Sequence, residues 1–372
     1  MKKVLLVLGA LILLILGSLI ILPYFFKDEI VAEVKKAANE NLTATLDFSD
    51  VDLSVFRNFP KLSVGLSDLR ITGAGQFEGV QLINCKRLDL AVDLWSVLFG
   101  DKIAIKGLYL NEPDIRVYVL SNGAANYDIT KPEPTPAATP AESGGLVQLE
   151  QYAIRNGRIL YDDRSMELRA ELNGIEHAGS GEFTADIYDL VTNTTVEALT
   201  VDYGGLQYLR KAKAKLDATI QADMPAMKFT MKDNTLRLNE MNLSADGWVA
   251  LPNEEDITMD LRFSTPQNTF KSLLSLVPGA YTQDFDQVQA NGSIQFAGMA
   301  KGTYNETTYP AFRLDFKVAK ADFKYPTLPL GVSNIKVDAR INSPSSKLDD
   351  MTVKIPAFSL RIGSNPLEGY FN

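Results

Sequence analysis

Apolar and polar residues alternate one by one over much of the chain. The stretches 88–94, 312–318 and 335–341 each carry an apolar residue at every second position, with mostly charged residues between them. A period of two puts every apolar side chain of a β-strand on the same face of the sheet. The pattern therefore predicts a mainly β protein whose strands have one apolar face and one polar face.

Further strands are predicted wherever the same period recurs. In the first part of the chain they fall at 45–55, 61–72, 81–94, 103–110 and 114–120, with a bulge expected at Gly107, where the period changes phase. In the second part they fall at 206–216, 216–222, 227–231, 259–263, 294–296, 312–318, 335–341, 351–355 and 358–362. Residues 94–99 suggest a helical turn, and 270–277, which stop before a Pro-Gly pair, are the one helix predicted in the second part.

The N-terminus predicts a membrane segment. Residues 4–22 form an uncharged stretch of 19 residues, which as a helix spans roughly 28 Å, close to the hydrocarbon thickness of a bilayer. Residues typical of a membrane interface flank it, namely Lys2, Lys3, Tyr24, Phe25, Phe26 and Lys27. We predict that 1–26 is a signal anchor with its N-terminus in the cytoplasm. The alternative is a cleaved signal peptide, which usually has a shorter apolar region and ends in small residues.

Composition divides the rest into three regions. Residues 27–130 form an α+β region that opens with a short amphipathic helix at 28–41, which either rests on the bilayer or caps the first strands. Residues 131–145 are rich in Pro, Ala and Gly and are predicted to be a linker or an exposed loop. Residues 146–372 form a second β-rich region. The linker either divides two domains or interrupts one continuous sheet.

Charge and cysteine content exclude some classes of protein. The formal net charge is −9 and the basic residues form no stripe, so we expect no nucleic-acid partner. The acidic charge does not exclude contact with a membrane through apolar surface. Cys85 is the single cysteine, so the chain has no intrachain disulfide.

Catalytic motifs are missing from the sequence. His177 is the single histidine, and it follows a predicted strand near a Gly-Ser-Gly turn, where a structural role is expected. The adjacent acids, such as Asp162 with Asp163, are typical of solvated turns, and the glycine pairs lack the spacing of phosphate-binding loops. We therefore predict a protein that is not an enzyme, with no metal ion and no cofactor.

The predicted apolar face has to be kept from water, and few helices are available to cover it. Two sheets could face each other in a sandwich, or one sheet could close into a barrel, and the pattern alone favours these two. The remaining arrangement is a curled, partly open sheet whose apolar side is lined by acyl chains or another hydrophobic ligand.

Several segments resemble the AsmA family, in the form found in Bacteroidota-type bacteria. The likeness is carried by Pro-Tyr-Phe-Phe-Lys-Asp-Glu-Ile at 23–30 and Leu-Asp-Leu-Ala-Val-Asp-Leu at 88–94. Further similar stretches are 51–60, 66–69, 107–113, 122–129, 341–344 and 358–369. These motifs are loose and none is catalytic.

The resemblance implies an inner-membrane anchor with a periplasmic body. AsmA-like proteins are similar to chorein-type bridge proteins, in which a long curled antiparallel sheet forms an open hydrophobic groove for phospholipids, and they are linked to outer-membrane biogenesis and lipid homeostasis. Members of the family commonly run on much further than residue 372. We therefore expect a partial chain, or a protein that is too short to bridge the envelope alone.

The function predicted from these observations is binding or conduction of phospholipid acyl chains along such a groove. The alternative is a scaffold or regulator of outer-membrane protein assembly that pairs with envelope-assembly proteins through exposed strand edges. The residues predicted to line the groove are Leu88, Leu90, Val92, Phe312, Leu314, Phe316, Ile335, Val337, Met351, Val353, Phe358 and Leu360.

Overall fold

The structure, a computed structural model, describes most of the chain beyond residue 30. The described residues are 31–32, 35–36, 39–40, 42–58, 61–99, 104–131, 147–253, 255–266, 268–276, 287–305, 307–325, 329–345 and 347–371. The predicted anchor at 1–26, with its six interface residues, lies outside them, and so does nearly all of the predicted linker. Among the described residues, no helix combines the length and the hydropathy needed to cross a bilayer.

The chain divides into two compact units, residues 1–169 and 170–372. The described part of the first unit is mostly β-strand. Its elements are β1 (Thr45–Asp47), β2 (Asp50–Asn58), β3 (Lys61–Thr72), β4 (Gln81–Asp93), α1 (Leu94–Phe99), β5 (Ile105–Val119) and β6 (Val147–Asp163). The predicted helical turn at 94–99 is therefore confirmed. The predicted bulge is found as well, because Ala91 pairs with Gly107 whereas Val92 pairs with Ile105.

The sheet of the first unit is mixed. β1 and β2 both pair with β3, and β3, β4 and β5 follow one another in antiparallel pairs. β5 and β6, however, run parallel. The prediction of an antiparallel sheet is wrong at this pair, because β6 begins with Val147 beside Ile105, the first residue of β5. A crossover of a dozen or more residues is what a parallel neighbour requires.

A helix caps the first strands. Residues 31–32, 35–36 and 39–40 are helical, and Val31 packs against the buried cluster formed by Phe48 and its neighbours. Lys35 Nζ lies 2.6 Å from a carboxylate oxygen of Asp47. Asn39 Oδ1 accepts a hydrogen bond from the Leu46 N–H at 2.7 Å. The described residues of the predicted amphipathic helix therefore cap the first strands, which is one of the two roles predicted for it.

The second unit is β-rich throughout. Its strands are β7 (Leu168–Ser180), whose first residues belong to the first unit, β8 (Ile187–Tyr203), β9 (Leu206–Asp223), β10 (Lys228–Leu238), β11 (Met241–Ala250), β12 (Ile257–Ser264), β13 (Asn268–Thr269), β14 (Gln289–Tyr304), β15 (Ala311–Lys324), β16 (Val332–Ser343), β17 (Thr352–Ile362) and β18 (Asn365–Phe371). One described helix, α2 (Phe270–Leu274), interrupts them, so the helix predicted at 270–277 begins where expected.

Strands β8 to β12 and β14 to β18 pair with their neighbours in antiparallel order, and β12 and β13 both pair with β14. These strands therefore share one sheet, which does not close on itself. The sandwich and barrel alternatives are not what forms here. The mainly β class with few helices is confirmed.

Candidate functional site

The strand register gathers the apolar residues of the second unit on one face. Phe263 pairs with Gly298, Gly298 with Leu314, Leu314 with Ile341, and Ile341 with Val353. Residues that pair across neighbouring strands point to the same side of the sheet. A row of nonpolar positions therefore crosses the sheet from β12 to β17.

Parallel rows on either side of this one are also apolar. One consists of Phe296, Phe316 and Ala339, and the next of Ile294, Val318, Val337 and Phe358. Towards β8 the same face continues through Leu190, Ile220, Met231, Gly247, Leu261 and Ala300. The face thus extends well beyond the segment in which the sequence predicted lining residues.

The opposite face is charged, and its charges form ion pairs both between strands and along one strand. Lys301 Nζ lies 2.9 Å from Asp260 of β12, and Arg313 Nε lies 2.7 Å from Asp315. The hydrogen bond from Arg313 holds the pKa of Asp315 below its ordinary value. Exposed ion pairs of this kind contribute little stability each, but they mark the face that water reaches. The apolar face is therefore the candidate site.

Helix α2 covers one end of this face. The chain leaves the sheet after β12, and the side chain of Asn268 then pairs with β11 in place of a strand. Its Oδ1 accepts a hydrogen bond from the Asn242 N–H at 2.9 Å, and its Nδ2 donates one to the Asn242 carbonyl at 2.7 Å. Thr269 then caps the helix through the Ser272 N–H at 3.2 Å. The hydrogen bonds of Asn268 and Thr269 thus fix the position of α2 on the sheet.

Phe270 is the residue through which α2 packs onto the face. It is buried in a cluster with Met241, Ile294, Val318, Ala321 and Ile335, and its ring lies 6.2 Å from that of Phe323. We call this region the covered half of the face. It lies at the strand ends where β10 joins β11 and β15 leads to β16.

The other end of the same strands forms the open half, which we define by Phe312, Leu314, Ile341 and Val353. All four side chains are half-buried, and none belongs to the cluster beneath α2. Gly298 lies among them, where an added Cβ would collide with Cζ of Phe263 and come 2.8 Å from Leu314. The glycine is what allows the Phe263 ring to lie on the sheet at this point.

The predicted lining residues fall into three groups. Eight of the twelve share the apolar face of β15, β16 and β17: Phe312, Leu314, Phe316, Ile335, Val337, Val353, Phe358 and Leu360. Ile335 is buried under α2, and Phe316, Val337 and Leu360 pack at the edge of that cluster. Met351 precedes β17 and is exposed.

The remaining three predicted residues belong to the first unit. Leu88, Leu90 and Val92 lie on β4, on the face shared with β3 and β5. Val92 is buried, whereas Leu88 and Leu90 are half-buried, and Leu88 packs against the cluster that includes Phe48. These residues belong to a local apolar face of the first unit, described here by itself.

The lining positions on β8 to β12 were not among the predicted residues. Leu261 and Phe263 lie in a stretch that was predicted to be a strand, so the alternation that could have identified them was present. On β10 a bulge breaks the alternation of apolar and polar residues. Met231 faces the apolar side, and the next residue to do so is Asn234, whereas strict alternation would have placed residue 233 there. Asn234 donates from Nδ2 to the Ala245 carbonyl at 3.4 Å.

The two side chains with the most reactive chemistry, Cys85 and His177, both contact groups within the fold. The Cys85 thiol is buried, contacts the carbonyls of Arg87 and Asn111 at 3.2 and 3.3 Å, and has its pKa raised by burial. His177 Nδ1 lies 2.7 Å from the Thr194 hydroxyl, and burial lowers the pKa of this imidazole. Within the described ranges, no three His, Cys, Asp or Glu side chains are grouped as metal ligands would be.

The AsmA family profile matches residues 1–273, most of the chain. The protein belongs to the AsmA family. No curated protein matches the chain. The matched segment of this AsmA protein covers the first unit and the second unit as far as α2, so β14 to β18 lie beyond it. The resemblance predicted for 341–344 and 358–369 therefore stays a prediction.

Proposed function

We propose that this AsmA-family protein binds the acyl chains of phospholipids on the open half of its apolar face, and so contributes to lipid transport or homeostasis in the cell envelope. The observation that carries the proposal is the register that assembles one apolar face from β8 to β18 while α2 covers only one end of it. A groove for chains of methylene groups needs such a surface and needs no catalytic group.

The energetics favour an apolar ligand at this place. Each Å² of apolar surface removed from water contributes roughly 25 cal/mol, so an acyl chain lying across Phe312, Leu314 and Val353 gains from every side chain it covers. The face offers few polar side chains to hold a charged head group. We infer that the chains lie on the face and that the head group stays at the rim.

The location of the protein follows from the predicted anchor and is proposed with it. Lys2 and Lys3 before the apolar stretch 4–22 favour an N-terminus in the cytoplasm and a body on the other side of the inner membrane. A periplasmic body anchored in this way lies between two membranes that both supply phospholipid. Membership of the AsmA family is consistent with such an envelope-related role.

The test compares one substitution on each face of the same strand. Leu314→Asp puts a carboxylate on the open half, whereas Lys317→Asp changes the charge of the polar face of β15. Both proteins are purified in detergent, checked for fold by circular dichroism, and analysed by native mass spectrometry for bound phospholipid. We expect the wild type and Lys317→Asp to retain lipid and Leu314→Asp to lose most of it while staying folded.

Two results would contradict the proposal. If Leu314→Asp unfolds the protein, the open half is part of a closed core and no groove exists there. If the wild type carries no lipid but co-purifies with stoichiometric protein partners, the scaffold function explains the protein better.

A further inference from the structure

The β8–β9 hairpin of the second unit extends past β10, the strand that pairs with β9. β10 ends at Leu238, which pairs with Ala214, so residues 206–212 of β9 continue beyond β10 and pair with β8. At ~3.3 Å per residue this extension measures roughly 20 Å. The tip of the hairpin therefore lies beyond the end of β10.

A two-residue turn fixes the tip. Gly204 and Gly205 have φ values of 56° and 76°, a backbone conformation that glycine adopts without strain. Two positive φ values in succession are typical of the type I′ turn, whose twist matches that of paired strands. Tyr203 and Leu206 pair directly across this turn, so both are held in place at the end of the hairpin.

Three large apolar side chains are exposed at this tip. Tyr203 is 51% exposed, Leu206 64% and Tyr208 54%, and the two tyrosine rings lie 6.3 Å apart. Single exposed hydrophobic residues are common on proteins, but a group of them marks a contact surface. Tyrosine with its apolar ring and polar hydroxyl is favoured at the boundary between lipid and water.

Cations follow the tip on β9. Arg210, Lys211 and Lys213 are exposed, and in the part of the chain that the structure describes none of them forms an ion pair. Two acids of β8 lie near these cations. Asp202 accepts a hydrogen bond from Gln207 Nε2 at 3.1 Å, and the exposed Glu197 lies between Val196 and Leu199, which pair with Ala214 and Ala212. The end of the hairpin, residues 197–213, therefore carries three cations and two acids, in a protein whose net charge is −9.

We propose that the tip of the β8–β9 hairpin docks onto the surface of an anionic lipid bilayer. Leu206 and the two tyrosines enter the interfacial layer, while Arg210, Lys211 and Lys213 contact the phosphate groups. Charge complementarity selects the partner, because the three cations attract an anionic surface although the protein as a whole is acidic. The inference does not depend on whether the apolar face binds acyl chains.

A second tyrosine pair provides a matched control. Tyr304 and Tyr309 lie at the β14–β15 connection, 43% and 40% exposed, with their rings 5.7 Å apart. Lys301, the cation nearest in sequence on β14, is paired with Asp260 at 2.9 Å, and Asn305 donates to Asp256 at 2.8 Å. The exposed aromatic surface is similar at both places, but only the β8–β9 tip adds unpaired cations.

The experiment measures attachment to a second membrane. The full-length protein is held in zwitterionic nanodiscs and mixed with vesicles of phosphatidylcholine alone or with about one third phosphatidylglycerol, and the fraction that sediments with the vesicles is measured. We compare Tyr203→Ser/Tyr208→Ser, the triple variant Arg210→Gln/Lys211→Gln/Lys213→Gln, and the control Tyr304→Ser/Tyr309→Ser. Circular dichroism and the melting temperature verify that each variant is folded.

We expect the wild type to bind the anionic vesicles and the control variant to bind equally well. The triple charge variant should bind at least about tenfold more weakly, since each cation near an anionic surface strengthens binding severalfold. Binding should also weaken as salt is raised. Equal binding to both kinds of vesicle, equal losses in the control and hairpin variants, or no effect of the three cations would each overturn the proposal.

Discussion

The covered and open halves of the apolar face lie on the same strands but have different environments. On β15, Val318 is 4% exposed beneath α2, whereas Phe312 and Leu314 at the other end are half-buried. Both ends follow the same alternation of apolar and charged residues. The difference comes from a few residues outside the alternation, which place α2 over one end of the face.

A strand with one apolar face has two different roles along its length in this protein. Beneath α2 the apolar face is an ordinary core, where Phe270 excludes water and the side chains stabilise the fold. Beyond α2 the same surface has no helix above it among the described residues, and we propose that a ligand covers it. Changes in the covered half should therefore affect stability, and changes in the open half should affect lipid binding.

The largest effect is expected when a charge is introduced into each half. Val318→Asp places a carboxylate in the buried cluster, where an unpaired charge costs several kcal/mol, and should prevent folding. Val353→Asp makes the same exchange in the open half, where water can reach the carboxylate, and should leave a folded protein with little bound lipid. Urea denaturation and lipid analysis of both variants check this. Equal loss of fold in the two would remove the distinction between the halves.

Truncation of one phenylalanine in each half gives a smaller difference. Phe270→Ala removes the ring through which α2 packs, and we expect a loss of about 3–4 kcal/mol in the free energy of unfolding. Phe312→Ala, in the open half, should cost less than half as much in the lipid-free protein. The midpoints of urea denaturation measure both. A greater cost for Phe312→Ala would show that the open half is a packed core.

A methyl group at Gly298 should have a moderate effect. Its Cβ would meet the Phe263 ring, which must then move off the sheet, and overpacking of this kind costs about 1–3 kcal/mol. Because the site lies in the open half, the ring has room to shift, so Gly298→Ala should fall at the lower end of that range. Loss of the fold in this variant would show that Phe263 is held in a closed core and would contradict an open half at this place.

The smallest effect is expected on the polar face. The pKa of Asp315 is lowered in the folded protein, first by the hydrogen bond from Arg313, so its contribution is fully present above the unfolded value of 3.8 and is lost as the pH falls through the folded value. Asp315→Asn should cost less than about 1 kcal/mol at neutral pH. Denaturation at about pH 7 and at about pH 2.5 should show that the difference between wild type and variant disappears in acid.

Much of this architecture was predictable because alternation is a local signal. The strands around Leu88, Leu314 and Val337 were predicted with the correct face, and so were the beginning of α2 and the bulge beside Gly107. Strand direction is not local: nothing within β5 or β6 shows that they pair in parallel. Bulges also hide the face, as at Asn234, where an extra residue in β10 shifts the alternation.

The division of the face into two halves could not be predicted from the alternation. Ile335 and Ile341 have the same pattern of neighbours in the sequence, yet the first is buried and the second is half-buried. What separates them is the place at which the chain leaves β12 and the side chain of Asn268 that holds it to β11. These are long-range contacts, which no window of sequence around β16 contains.

The most direct test of the central claim is photo-crosslinking from single positions on β15. A benzoylphenylalanine at Leu314, in the open half, or at Lys317, on the polar face, is activated in membranes that contain the full-length protein, and adducts are identified by mass spectrometry. We predict a phospholipid adduct from position 314 and none above background from 317. A folded protein that gives no lipid adduct at 314, or equal yields at both positions, would contradict the account.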